Sequence, residues 1–407
     1  MTIPVERRTK RWQEQRWILD NIIQSVGVEW DQARIGYTLG PCGPEAFYDF
    51  NVVRQRVKKF ADIAPQFATA ARRREQTAAG YESEGHFVAA RESYFIASLL
   101  WASAQWPIFE NNRENLLFNE RKVECYKKFI AYAPHKIERV EIPFGDSSLP
   151  AYFHLPFDWH GEKVPCVLSI DGMDGSKEIL HAMYGDKILS RGMASLAIDG
   201  PGQGECCVRD IHVTTDNFKE VGRVALDWLR QRPEIDADRL AVYGISFGSY
   251  FATQVASIDA GLRGCAVAFV CHEPGGHTIF NMASPTFKLR FMYMAGYEDE
   301  AEFDQFAAGL RLNGAEVKSP YLVVAGEDDE LSPIEYTYQL FEEITVPKKL
   351  VVYQGERHGV GGGSAAALGP QWMNIIADWF VDRFAGKPMA RERVLIDLAG
   401  QQHSFPL

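Results

Sequence analysis

The chain has 407 residues, enough for two or three domains of roughly 150 residues each, so a large core can form without disulfide or metal cross-links. Its 43 basic and 54 acidic residues give a formal net charge of −11, and no basic stripe is present, so no nucleic acid partner is expected. The seven cysteines show neither a C-x-x-C pair nor zinc spacing, so no metal site is expected.

From residue 11 to about 133 the apolar residues follow a helical period, and strand patterns are nearly absent. Small and aromatic residues recur from Gly85 to Trp106, as closely packed antiparallel helices require. The pattern predicts an all-helical domain over residues 1–133. Its longest apolar run, Tyr94 to Phe109, is interrupted by polar residues and falls short of the roughly 18 residues of a membrane span. We therefore expect a buried helix and no membrane partner.

The basic amino terminus, Met1 to Trp17, is not followed by the apolar segment of a secretory signal. A cytoplasmic enzyme is the expectation from this pattern. The sequence leaves the oligomeric state open, a homodimer included.

After Pro134 the pattern changes to a period of two, and a hairpin is predicted from Arg139–Phe144 and Leu149–Leu155. Short apolar runs then alternate with helical stretches. These runs are Val164–Ile170, Ala194–Ile198, Leu240–Tyr243, Ala266–Val270, Tyr321–Ala325 and Leu350–Tyr353. Alternating strands and helices predict an α/β domain over residues 134–407, with a mostly parallel sheet covered by helices on both faces.

One connection in this domain, about residues 271–319, is unusually long and rich in aromatic residues and methionines. They are Phe280, Met282, Phe287, Phe291, Met292, Tyr293 and Met294. Long insertions in α/β domains usually form a binding site or a lid, which predicts an inserted cap segment here. The alternative, that these side chains fill a local core, stays open.

The most specific motif is Gly244–Gly248, which reads G-I-S-F-G between a strand and a helical pattern. This is the context of a nucleophile elbow, in which a serine stands on a tight strand-to-helix turn. Side chains two residues to either side would collide in such a turn, so glycine is needed there. Ser246 is the predicted nucleophile.

A serine hydroxyl needs a base, and the base needs an acid that holds its tautomer. In this fold the acid and then the histidine follow the serine along the chain. Asp329, in an acidic loop after a predicted strand, is the expected acid, with Asp328 as the alternative. His358, after the next strand, is the expected base, whereas His403 in the tail fits a surface residue better.

Acyl transfer also needs N–H groups aimed at the developing oxyanion. The Phe247 N–H, directly after the nucleophile, is one expected donor, and the Met173 N–H in the loop after the first parallel strand is the other. The segment Asp199–Glu205 lacks the spacing of a phosphate-binding loop, so it is expected to be a structural turn. We therefore expect no cofactor.

With these motifs the chain resembles the α/β-hydrolase superfamily, specifically the group that joins a helical cap to the hydrolase core. This group includes 2,6-dihydropseudooxynicotine hydrolase, the fungal polyketide-shortening hydrolases and the FrsA-like esterases. The segments that carry the resemblance are Gly85–Tyr94, Gly172–Glu178, Asp199–Gly204, Gly244–Tyr250 and the loops of Asp329 and His358. The resemblance implies a triad of Ser246, Asp329 and His358. It also implies that Asp174 takes the place of an assisting glutamate, one methylene shorter.

Members of this group cleave either esters or C–C bonds beside a ketone, and the triad serves both reactions. The aromatic insert favours C–C cleavage in an aromatic or polyketide-like small molecule through an acyl-serine. His272, Glu273 and His277 are candidate polar anchors for that substrate. The alternatives are a carboxylesterase, a serine peptidase and a non-catalytic binding protein with the hydrolase fold.

Overall fold

The computed structural model describes residues 9–407, so the first eight residues of the predicted helical region lie outside the described part. In the described part of the chain, six α-helices precede the sheet. They are α1 (Lys10–Val26), α2 (Arg34–Cys42), α3 (Phe47–Arg56), α4 (Ile63–Ser83), α5 (Phe87–Gln105) and α6 (Arg113–Ala131). The apolar run that begins at Tyr94 lies in α5, where Tyr94 to Trp101 are all buried. Among residues 9–407, no helix combines the length and the apolar character that crossing a membrane requires.

Within the described residues, ten strands form one sheet in the order β1-β2-β4-β3-β5-β6-β7-β8-β9-β10. The strands are β1 (Ile137–Phe144), β2 (Ser147–His154), β3 (Val164–Ile170), β4 (Ala194–Ile198), β5 (Ile235–Ile245), β6 (Cys265–Ala268), β7 (Tyr321–Gly326), β8 (Lys348–Tyr353), β9 (Glu392–Ile396) and β10 (Gln402–Pro406). The strands from β4 to β9 in the sheet order pair in parallel. The two edges add antiparallel pairs. The predicted α/β class with a mostly parallel sheet is confirmed.

Helices cover both faces of the sheet and connect its strands. They are α7 (Gly204–Val208), α8 (Phe218–Arg230), α9 (Gly248–Ile258), α10 (Pro285–Ala295), α11 (Glu300–Ala307), α12 (Ile334–Glu343), α13 (Ser364–Leu368) and α14 (Trp372–Phe384). The sequence patterns located strands β1 to β8 but missed β9 and β10. The strand β10 is exposed on every residue, so it lacks the alternation of buried and exposed positions by which a strand is found in a sequence.

The helical region packs directly onto the sheet. One continuous hydrophobic core contains buried residues of α1 to α6 together with residues of β1 to β8. Tyr126 of α6 stacks on Tyr152 of β2, with ring centroids 4.3 Å apart. In the same interface, the buried Lys122 of α6 lies 3.8 Å from the Glu178 carboxylate, in the segment after β3. Separation of the two parts would therefore expose apolar surface and a buried charge pair.

The long connection between β6 and β7 folds into a short π-helix (Thr278–Met282), α10 and α11. Its aromatic residues largely pack against one another: the rings of Phe280 and Phe291 have centroids 5.2 Å apart, and both side chains are buried. Met282, by contrast, is 69% exposed. These aromatic side chains therefore form a local core, and this core extends to Phe247, whose ring centroid is 4.5 Å from that of Phe291.

Candidate active site

Ser246 stands on a sharp turn between β5 and α9, with a left-handed backbone at φ 55°. The flanking glycines are needed for steric reasons. A Cβ on Gly244 would lie 2.1 Å from the Gly248 carbonyl oxygen, and a Cβ on Gly248 would lie 2.5 Å from the Asp171 carbonyl oxygen. A left-handed serine is strained and persists only where the surroundings hold it. The turn therefore has the geometry predicted for a nucleophile elbow.

Three side chains from three different strand ends form one hydrogen-bonded chain. The Ser246 Oγ lies 3.0 Å from the His358 Nε2, and the His358 Nδ1 lies 2.9 Å from the Asp329 Oδ2. The side chains of His358 and Asp329 are 2% and 1% exposed. The carboxyl ends of parallel strands meet at one edge of a sheet, which is why residues distant in sequence converge here.

The two aspartates in the loop after β7 point to different environments. Asp329 is buried, and its Oδ1 accepts the N–H groups of Leu331 and Ser332 at 2.8 and 2.9 Å. Asp328 is exposed. The structure thus brings Asp329, and not the alternative Asp328, to the histidine. Glu330, in the same loop, accepts the His358 backbone N–H at 3.0 Å.

The charges around His358 favour its protonated form. Burial opposes the charged imidazolium, but the nearby Asp329 carboxylate outweighs it and raises the pKa of His358 above its ordinary value. The Cys271 thiol also contacts the Ser246 side chain, and burial raises the pKa of that thiol well above its ordinary value. Cys271 therefore stays protonated and does not compete as a nucleophile.

The loop after β3 lies against the turn of Ser246. A Cβ on Gly172 would lie 2.8 Å from the Ser246 Cβ, so the loop backbone reaches the serine only because residue 172 is glycine. Among the described residues, neither the Met173 N–H nor the Phe247 N–H donates a hydrogen bond to the protein. Both predicted donors are thus free. The Met173 carbonyl oxygen accepts a hydrogen bond from the Arg290 Nε at 2.9 Å.

Beneath this loop lies a buried network of charged side chains. The Lys177 Nζ donates to Glu178, Asp199 and Glu205 at 3.0, 2.8 and 2.5 Å. Asp199 also accepts the Lys177 backbone N–H at 2.8 Å. These bonds tie the loop of Met173 to the turn after β4. The segment from Asp199 is therefore a structural turn, as its sequence predicted.

Asp174 binds a residue that the sequence patterns did not single out. The Arg34 Nη1 of α2 donates to the Asp174 Oδ2 at 3.0 Å, while its Nη2 and Nε bind both oxygens of Asp31. The Arg34 guanidinium also lies 3.6 Å from the ring centroid of Trp106. Nothing in a helical pattern distinguishes such an arginine from a surface one, so only the fold could reveal it.

Tyr37, on the same face of α2, also reaches the strand ends. A Cβ on Gly359 would lie 2.3 Å from the Tyr37 hydroxyl oxygen, so this tyrosine lies against the residue that follows His358. Burial raises the pKa of Tyr37 above its ordinary value. Tyr37 therefore remains a neutral hydroxyl beside the histidine. The helical region thus borders the candidate site on two sides.

The three candidate anchors after β6 occupy different places. His272 is buried, its Nδ1 lies 3.3 Å from the Thr337 hydroxyl, and burial lowers its pKa to about 3, so it stays neutral. Glu273 accepts the N–H and the hydroxyl of Thr278. His277 is exposed and bonds Asn281. Of the three, Glu273 lines a narrow cavity.

Two narrow cavities lie near the strand ends, the first beside the loop of Met173 and the second beside Phe247, the residue after Ser246. The first lies between the helical region and the sheet and is lined by Ala102, Gln105, Trp106, Asp174, Gly175, Ser176, Gly204, Cys207, Arg290 and Tyr293. The second is lined by Phe247, Tyr250, Cys271, Glu273, Gly276, Ile279, Leu310, Leu331 and Ser332. Their linings differ, because the first contains two charged side chains, those of Asp174 and Arg290, and the second is largely apolar. Within residues 9–407, no cluster of three or more His, Cys, Asp or Glu side chains has the arrangement to hold a metal ion.

Comparison with known proteins gives one family match. The model of the family described as "Esterase FrsA-like" matches residues 57–299. The "Alpha/beta hydrolase xenA" of Xenoacremonium sinensis is 27% identical over 273 residues, which cover 65% of this chain and 59% of that protein. The chain therefore spans less than two thirds of this relative.

A second relative matches over more of its length. The 2,6-dihydropseudooxynicotine hydrolase of Paenarthrobacter nicotinovorans is 26% identical over 323 residues, covering 78% of this chain and 83% of that protein. A solved structure described as a 2,6-dihydroxy-pseudo-oxynicotine hydrolase superposes with a TM-score of 0.74 at 24% identity, over 87% of this chain and 97% of that one. The helical region and the sheet are thus found together in a known fold.

Proposed function

Because the chain belongs to the FrsA-like esterase family of α/β-hydrolases, we propose that this enzyme is a serine hydrolase with Ser246 as its nucleophile. The observation that carries the proposal is the hydrogen-bonded chain from Ser246 through His358 to Asp329. A nucleophile, a base within hydrogen-bonding distance and a third group that orients the base are the requirements of this chemistry.

In the first step, the Ser246 oxygen attacks a carbonyl carbon of the substrate while the His358 Nε2 takes the serine proton. Asp329 holds the Nδ1 proton of the histidine and stabilises the imidazolium. The carbonyl oxygen becomes an oxyanion, for which the free N–H groups of Phe247 and Met173 are the donors. The N-terminus of α9 adds its positive end at the same place.

In the second step, the tetrahedral intermediate collapses, and the bond to the leaving group breaks with its electron pair. In a C–C cleavage the pair forms an enolate, which takes the proton from His358 and leaves as a ketone. Water, deprotonated by the same histidine, then attacks the acyl-serine. The acid product leaves, and Ser246 regains its proton.

We propose C–C cleavage beside a ketone of an aromatic or polyketide-like molecule as the reaction. It is supported by the resemblance to hydrolases of that kind and by the relative whose name gives it a hydrolase activity on 2,6-dihydropseudooxynicotine. The second cavity is largely apolar and is lined by Phe247 and Ile279, which supports an apolar substrate. Carboxyl ester hydrolysis is the second candidate, because the matching family is described as esterase-like.

The proposal assigns residues 1–133 to a helical cap, residues 134–407 to the catalytic domain, and residues 271–319 to an inserted cap segment. Arg34 and Tyr37 support the helical cap, because each lies against a loop at the strand ends. Trp106 lines the first cavity together with Asp174. A cap in this place would exclude water from the acyl-serine until the leaving group has gone.

The test has two parts. Ser246→Ala should abolish labelling by a fluorophosphonate and lower kcat by several orders of magnitude, because triad residues act as a unit. Ser257→Ala, at the other end of α9, is the matched control and should keep the wild-type labelling and kcat. The ratio of kcat/KM for an aromatic β-diketone to that for a matched aryl ester then reports the bond cleaved. Release of no acid from any diketone would exclude the C–C reaction and favour the esterase.

A further inference from the structure

Among residues 9–407, Arg290 of α10 is a buried cation without an acidic partner. Its side chain is 6% exposed, and its Nε donates to the Met173 carbonyl at 2.9 Å. No carboxylate among residues 9–407 forms an ion pair with it. The guanidinium lies 5.5 Å from the ring centroid of Tyr293, which stabilises it only in part.

An unpaired buried charge is costly, so its retention calls for a reason. The hydrogen bond to Met173 uses one of the five N–H groups that a guanidinium carries. A neutral donor such as glutamine or tryptophan could make that single bond without the cost of a buried charge. Anchoring the loop therefore does not by itself explain an arginine.

Arg290 also lines the first cavity, which lies beside the loop of Met173. Three other polar atoms of residues that line this cavity are also unpaired among the described residues, the Ser176 Oγ among them. The other two are an acceptor and a donor, the Asp174 Oδ1 and the Trp106 Nε1, respectively. A cationic donor, a neutral donor and an acceptor on one cavity are the complement of a ligand with an acidic oxygen and a hydroxyl group.

We propose that Arg290 binds an anionic oxygen of the substrate, either a carboxylate or the enolate of a 1,3-dicarbonyl. The Asp174 carboxylate, which already holds Arg34 through its Oδ2, then accepts a hydroxyl of the same substrate. A hydroxylated aromatic acid or hydroxylated aromatic diketone has both groups. This inference deepens the proposed function and rests on Ser246 acting next to the cavity. Because the cavity is narrow, it takes the polar end of the substrate.

Binding to the full chain carrying Ser246→Ala tests the proposal without turnover. The dissociation constant of 2,4-dihydroxybenzoate should be about 10-fold or more below that of 2,4-dihydroxybenzamide, as expected for a charge-assisted bond. Adding Arg290→Gln should reduce this ratio to near one, and Arg290→Lys should keep part of it. Arg311→Gln is the matched control, since this exposed arginine of the same connection also donates its Nε to a backbone carbonyl.

A second pair of ligands, 1-phenylbutane-1,3-dione and 4-phenylbutan-2-one, distinguishes the two anions. If Arg290 strengthens binding only of the benzoate relative to its amide, the anion that it binds is a carboxylate. If Arg290 strengthens binding only of the dione relative to the simple ketone, that anion is an enolate. A purely structural role would weaken acid and amide equally. Equal binding within both pairs, or a preference that survives Arg290→Gln, would overturn the proposal. Because the assay involves no catalysis, its failure is distinct from a failure to cleave diketones.

Discussion

Replacing Gly172 by alanine tests the position of the loop that supplies the second oxyanion donor. The added Cβ would lie 2.8 Å from the Ser246 Cβ and 3.2 Å from its Oγ. Carbon atoms in contact prefer about 3.5 to 4.0 Å, so the loop or the serine must move by about 0.7 to 1.2 Å. A misplacement of that size costs about 10²-fold in rate, and loss of one oxyanion donor costs about 10²- to 10³-fold.

We therefore expect Gly172→Ala to lower kcat about 10²-fold on an aryl ester and to slow fluorophosphonate labelling, while the protein stays folded. Steady-state kinetics, labelling rates and near-UV circular dichroism measure these three quantities. Gly80→Ala is the matched control, because a Cβ there meets nothing within 4 Å on the exposed face of α4. Wild-type kcat and labelling in Gly172→Ala would refute the close approach of loop and nucleophile.

Two further predictions concern His358 and the helical interface. The neutral imidazole is the base, so kcat/KM should fall as the pH drops through a His358 pKa that lies above its ordinary value. Asp329→Asn removes the carboxylate that raises this pKa, so the acid limb of the pH profile of kcat/KM should move to lower pH while kcat falls. An acid limb at the wild-type pH would contradict the pairing of His358 with Asp329. Lys122→Met leaves the buried Glu178 with one cation fewer and should lower the free energy of unfolding in urea by roughly 3 kcal/mol. Lys127→Ala, in an exposed ion pair on the same helix, should change the free energy of unfolding by less than about 1 kcal/mol. A similar loss of stability in both variants would contradict a stabilising role of the buried pair at the interface.

The amino-acid sequence alone was sufficient for the turn of Ser246 and for the strands that support it. Both depend on short-range patterns, because the motif spans five residues and the buried strands are continuous apolar runs. The collision that Gly248 avoids with Asp171 joins distant segments and is visible only in the structure. The order of serine, acid and histidine followed from the chain order that belongs to the nucleophile-elbow fold. Asp329 and Asp328 stayed alternatives in the sequence, because adjacent residues share every local pattern.

Only the tertiary structure decided which side chains meet. Asp329 faces the histidine and Asp328 faces solvent because the loop backbone binds the Asp329 Oδ1. Arg34 and Asp174 are 140 residues apart, and a contact over that separation leaves no periodic trace in either segment. Arg290 carries no sequence signal either, since its burial without an acidic partner is a property of the packed interior. Local periodicity encodes the backbone, whereas the electrostatic surroundings of a side chain depend on what the fold packs against it.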